Sequence, residues 1–191
     1  MDRKNILEKT WAFAEQTMAN NDSAHDKGHL ARVVNLATIL AHKTGADQFQ
    51  TQMLAILHEL DDDKLSSQIG VEAVAAFLQA ENLSQEMVDF LCMGIPYISY
   101  RKHPRLSPEL PLEIRVVQDA DRIDAMGAVG IARTFAYGGA KGRPLTESLA
   151  HFDEKLLKLY DLLSTPEARE LAKPRYDFLQ EFYRQFREEN R

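Results

Sequence analysis

Between residues 25 and 45 the apolar positions Leu30, Val33, Val34, Ala37, Leu40 and Ala41 recur at spacings of three, one, three, three and one, which lays them along one face of an α-helix. Gly45 stands where such a helix stops. The same period predicts helices over Ile6 to Met18, Phe49 to Leu57, Val71 to Leu78 and Met87 to Leu91, the last with Ser84 as N-cap and Pro96 as its end. Helical pattern returns at Leu112 and continues, with a break near Gly127, to Phe135, before a turn region at Gly138, Gly139 and Gly142. Two further helices are expected, from about Glu147 to Leu163 and from Pro166 to Glu189. Thr165 and Pro166 fill the N-cap and first positions of the second, which Pro174 should kink or split.

No segment alternates as a strand does, and no repeat or low-complexity tract interrupts the pattern. The expected fold is all-α: one compact multi-helix domain over residues 1–191, with additional C-terminal helices over about 146–190. Four prolines lie among residues 96–111, and this stretch reads as a long loop of the kind that often serves function.

Composition narrows the class. With 45% hydrophobic and 27% charged residues, and no apolar run of membrane-spanning length, the chain reads as soluble and unassociated with membrane. The charged N-terminus lacks the apolar centre of a signal peptide. The single cysteine, Cys92, excludes an intramolecular disulfide, and the expected location is cytoplasmic. A net charge of −6 argues against a nucleic-acid groove but permits a local basic pocket for a small anion.

Three polar clusters interrupt the apolar periodicity: His25, Asp26 and His29 in HDKGHLARVV; His58, Glu59 and Asp61 to Asp63 in LHELDDDK; and Asp119, Asp121 and Asp124 in VVQDADRIDAMG. The second resembles half of a zinc-binding HExxH motif, but Asp62 occupies the place of the second histidine. Carboxylates among Val116, Val117, Ala120, Ile123 and Met126 are costly to bury without a cation. A metal ion would compensate them; so would exposure on the polar side of an amphipathic helix.

HDKGHLARVV, AILHELDDDK and VVQDADRIDAMGAVGIARTFAYGG, continuing through the C-terminal helices, resemble the bacterial HD-domain phosphohydrolases, whose pattern is H…HD…D. The branch they resemble has members that hydrolyse nucleoside triphosphates to monophosphate and pyrophosphate. The resemblance places the metal-site core at about residues 25–137. It implies His29, His58, Glu59 and Asp121 as metal ligands, with Asp119 the competitor of Asp121. Glu59 departs from the family's aspartate by one methylene, about 1.5 Å.

The mixed imidazole and carboxylate set suits Mn²⁺ first, with Co²⁺, Ni²⁺, Fe²⁺, Mg²⁺ or Zn²⁺ as alternatives. The resemblance implies a phosphorylated small molecule, a nucleotide, as substrate, attacked in line by water while Asp62 manages the proton. If the helix continues past His58, Asp62 shares its face; otherwise Asp62 merely solvates the helix end. Phosphate contacts are assigned to Arg32 and Lys64, which join Asp62 as catalytic candidates, and to Arg122, Arg101 and Lys102. His25 and Asp26 are assigned to orienting a ligand or touching substrate, and Arg133 to a salt bridge. The competing reading is a nucleotide-binding sensor or interaction module weakened by Glu59. A homodimer is left open.

Overall fold

In a computed structural model of the chain, residues 2–19, 27–61 and 70–190 are described. The fold is all-α, and among the described residues there is no strand. Six helices build the first part: α1 (Arg3–Ala19), α2 (Lys27–Thr44), α3 (Gln48–Leu57), α4 (Gly70–Ala80), α5 (Gln85–Ile98) and α6 (Leu112–Asp124). Three follow: α7 (Gly127–Ala140), α8 (Leu145–Glu154) and α9 (Pro166–Glu189). No helix among the described residues is long and apolar enough to cross a membrane.

α2 packs against both α3 and α6, and α3 against α1, α5 and α6, so these helices surround one apolar interior. Val33, Ala37 and Leu40 of α2, Met53, Leu54 and Leu57 of α3 and Val116, Val117 and Ala120 of α6 are fully buried within it. Close approach has a local cause at Gly94 of α5, where a Cβ atom would lie 2.9 Å from Leu54 and 3.0 Å from Ile114. The second layer holds α7, α8 and α9 together through Phe135, Phe152, Phe182 and Phe186, with ring centroids 5.5 to 6.0 Å apart.

The expected caps Ser84 and Thr165 accept from the Met87 amide at the start of α5 and the Ala168 amide at the start of α9; Asp47, not singled out in the sequence, accepts from the Gln50 amide at the start of α3. Four boundaries differ. α7 continues past Phe135 through Gly138 and Gly139 to Ala140, where Ser148 Oγ crowds the space a Cβ on Gly138 would take. α5 runs through Pro96 to Ile98, because Ile95 and Ile98 are buried and the Tyr97 carbonyl accepts from Gln118 Nε2 at 2.7 Å; tertiary contacts outweigh one lost helical bond. α9 passes Pro174 unbroken, with that residue exposed, so the unbonded carbonyl is solvated. The single helix expected over Glu147 to Leu163 is instead α8 followed by 3-10 turns at Leu156–Lys158 and Tyr160–Leu162. A three-residue period brings Leu156 and Leu159 inward together.

The two layers are tied by polar groups of α6. Asp119, fully buried, accepts from the Ser164 amide at 2.8 Å, the Thr165 amide at 2.9 Å and the Thr165 hydroxyl at 2.8 Å. Arg122, also buried, donates to the carbonyl of Leu162 at 2.6 Å and to those of His103 and Arg105 at 3.4 Å. Asp119→Asn would turn an NH₂ group toward donors. It is expected to cost about 3 kcal/mol, read as a drop of about 10 °C in the thermal midpoint.

Candidate metal centre

His29 lies in the first turn of α2, His58 directly follows α3, and Asp121 faces them from α6. One ligand atom from each of these three residues lies within 4.8 Å of the others. The mutual packing of α2, α3 and α6 that builds the core therefore also assembles this cluster.

The tautomers follow from the hydrogen bonds. His58 Nδ1 is 2.7 Å from the Ala55 carbonyl, an acceptor only, so Nδ1 carries the proton and Nε2 presents its lone pair. His29 Nδ1 is 2.7 Å from the Asp124 carboxylate and donates to it, which frees Nε2 in the same way. Both Nε2 atoms then face carboxylates. Glu59 Oε1 is 3.3 Å from His29 Nε2 and 3.2 Å from His58 Nε2, and Asp121 Oδ1 is 3.5 Å from His29 Nε2.

With both imidazoles neutral, their Nε2 lone pairs and the two carboxylates form an acceptor set that a cation would satisfy. His58 Nε2 is buried and has no hydrogen-bond partner among the described residues, with Glu59 Oε1 3.2 Å away; burial disfavours a proton there, and the Glu59 and Asp121 carboxylates outweigh it and raise the pKa of His58. Neighbouring ligands around one ion with bonds of about 2.1 Å are separated by about 3.0 to 3.4 Å. The measured separations fit that geometry, and the donor set suits a divalent transition metal. With only protons available, burial lowers the affinity of His29 for its proton, but Asp124, Glu59 and Asp121 overcome this and push its pKa up to about 9.

Glu59 lies against both imidazoles, outside the trio of His29, His58 and Asp121 whose ligand atoms gather together. After Leu57 the backbone tightens into a 3-10 turn over His58–Asp61. This removes the premise that a continued α-helix sets Asp62 on the face of His58. Asp62 and Lys64 themselves lie outside the described residues, as do His25 and Asp26.

Asp119 and Asp121 point to different partners. Asp119 is occupied at the start of α9, whereas Asp121 stands at the imidazoles. Arg122 does not act as the expected phosphate contact, since its guanidinium is buried against backbone carbonyls. Arg101 is exposed and Lys102 half-buried on the loop before α6.

Asp124 is the residue that the motif did not single out. It is completely buried and accepts from His29 Nδ1, from Arg32 Nε at 2.6 Å and Nη2 at 3.1 Å, and from Arg133 Nη1 at 2.9 Å. It thereby fixes the imidazole tautomer and both guanidinium groups. Its signal was the three-residue spacing from Asp121, which puts both carboxylates on one side of α6.

A family model described as the HD domain matches residues 27–126. A protein of Bacillus subtilis, the uncharacterised YpgQ, is 39% identical over 184 residues, covering 93% of this chain and 89% of its own. The crystal structure of YpgQ superposes with a TM-score of 0.86 at 34% identity, covering 99% of this chain and 97% of the other; a second YpgQ structure, in complex with ADP, gives 0.85 at 35% over the same shares. An HD-superfamily hydrolase from Bacillus thuringiensis gives 0.82 at 37%, covering 98% of this chain and 97% of that one.

Proposed function

Since this chain belongs to the HD-domain family, whose structural relatives include an HD-superfamily hydrolase, we propose that it is a divalent-metal-dependent phosphohydrolase of nucleotides, cleaving nucleoside triphosphates to monophosphate and pyrophosphate. The observation that carries this reading is the buried, unpartnered His58 Nε2 among acceptor groups of His29, Glu59 and Asp121. The ADP complex of YpgQ supports a nucleotide as ligand.

His29, His58, Glu59 and Asp121 would hold the ion. When bound, it supplies Lewis acidity toward a phosphate oxygen and lowers the pKa of water. The chain's own residues do the remainder. The Ala55 carbonyl and Asp124 keep both Nε2 lone pairs aimed inward, and Arg32, braced on Asp124, offers positive charge to a substrate phosphate. Proton handling by Asp62 and phosphate contact by Lys64 rest on their places four and six residues after His58. The sensor reading drew its support from Glu59, whose carboxylate lies against both imidazoles.

The test is a panel of nucleoside triphosphates with Mn²⁺, Co²⁺, Ni²⁺ or Mg²⁺, following pyrophosphate and orthophosphate separately. Pyrophosphate release is expected; silence with every metal would overturn the reading. Glu59→Asp withdraws the carboxylate by about 1.5 Å. It is expected to weaken metal affinity about tenfold, as measured by titration of the metal-free protein.

A further inference from the structure

The Asp124 carboxylate neutralises one positive charge, yet two guanidinium groups are fastened to it, from Arg32 on α2 and Arg133 on α7. Neither is sealed in the interior, since their side chains are 31% and 40% exposed while Asp124 is 0% exposed. The pair sits beside His29, whose Nδ1 is 3.1 Å from Arg133 Nη1.

The two arginines use their donors differently. Arg32 turns both Nε and Nη2 onto Asp124. Arg133 commits Nη1 alone, so its Nε and Nη2 make no hydrogen bond to any described residue. A guanidinium held by one end on a buried carboxylate, with the rest of its fork open to solvent, is preorganised to grip an oxyanion bidentately.

We propose that Arg133 is a substrate-binding residue, gripping the phosphate that neighbours the one held at the metal centre, and that Asp124 serves as its brace. This goes beyond a salt bridge between α6 and α7, and it selects ligands with at least two linked phosphates over monophosphates. The inference rests on the reading of the site as one for phosphorylated ligands, but its test does not require hydrolysis.

The experiment uses the full chain saturated with Mn²⁺ and a non-hydrolysable probe, methylenediphosphonate, with inorganic phosphate for comparison. Affinities are read by calorimetry; Mn²⁺ affinity is measured separately from the resonance of the free ion. Arg133→Met is expected to weaken diphosphonate binding about 10- to 100-fold, the range for charge-assisted hydrogen bonds. Inorganic phosphate and Mn²⁺ affinities should stay within about threefold, because neither group contacts Arg133 in the proposed arrangement.

Undiminished diphosphonate affinity in this variant overturns the proposal, as does a wild-type protein that does not bind the probe. A fall confined to Mn²⁺ affinity would make Arg133 only a support for Asp124 and overturns it equally. If Arg133→Met does not fold, Arg133→Lys decides, because one ammonium cannot hold Asp124 and grip the anion at once. Binding at least about threefold weaker is expected, and full-strength binding is the contrary result. A wild type that releases no pyrophosphate, yet binds the diphosphonate through Arg133, would refute the hydrolase reading and leave this one standing.

Discussion

His58→Ala is expected to weaken divalent-metal binding by at least about 100-fold and to remove nucleotide hydrolysis with it. Substitutions that only disturb the groups orienting a ligand cost about 10- to 100-fold, and here a ligand itself is lost. The effect on the fold should be smaller. His58 contributes a buried ring and one hydrogen bond to Ala55, and its removal also relieves a buried nitrogen that has no partner. Equilibrium dialysis with Mn²⁺ and a thermal melt of the metal-free variant separate the two. A variant that melts near the wild type but still binds metal with wild-type affinity would contradict the assignment.

Asp124→Asn is the second large effect, and it acts on stability. Burial alone would raise the Asp124 pKa, but His29 and Arg32 hold it down at about 2, from an ordinary 3.8. A carboxyl with a depressed folded-state pKa contributes stability that is fully present above its unfolded pKa. That contribution is lost as pH falls through the window from about 4 to about 2. The shift corresponds to about 2 kcal/mol. The neutral asparagine should therefore unfold at lower denaturant concentration by about 2 to 3 kcal/mol at pH 7. Between pH 4 and pH 2 the difference from wild type should shrink. The measurement is denaturant unfolding of metal-free protein across that range; a difference that is constant with pH would count against the charge network.

Helices were legible because the apolar period of α2 or α3 repeats over several turns, and His29, His58 and Asp121 were legible because they interrupt that period in HDKGHLARVV, LHELDDDK and VVQDADRIDAMG. The end of α3 was not. Over the four residues His58–Asp61, a period of 3.0 cannot be told from 3.6. Arg122 was misread because adjacency to Asp121 in sequence means a turn of about 100° around the helix, which here leads to the carbonyls of Leu162, His103 and Arg105. Asp124 stood in the third cluster without a role of its own because its partners lie 92 and 95 residues earlier and nine residues later, the last on the far side of a helix break. Pro96 obeyed burial rather than propensity.

The run Asp119 to Asp124 carries two interleaved pairs, each spaced by three residues. Asp119 with Arg122 serves the last layer, and Asp121 with Asp124 serves the cluster. This has a bearing on synthesis. A chain emerging from the ribosome as far as residue 126 has made every side chain of the cluster, but Asp119 and Arg122 would still lack Leu162, Ser164 and Thr165. Two ionised groups would have to stay buried and unpaired or keep α6 in water. Burial of α6, and with it assembly of the cluster, is therefore coupled to the arrival of the start of α9.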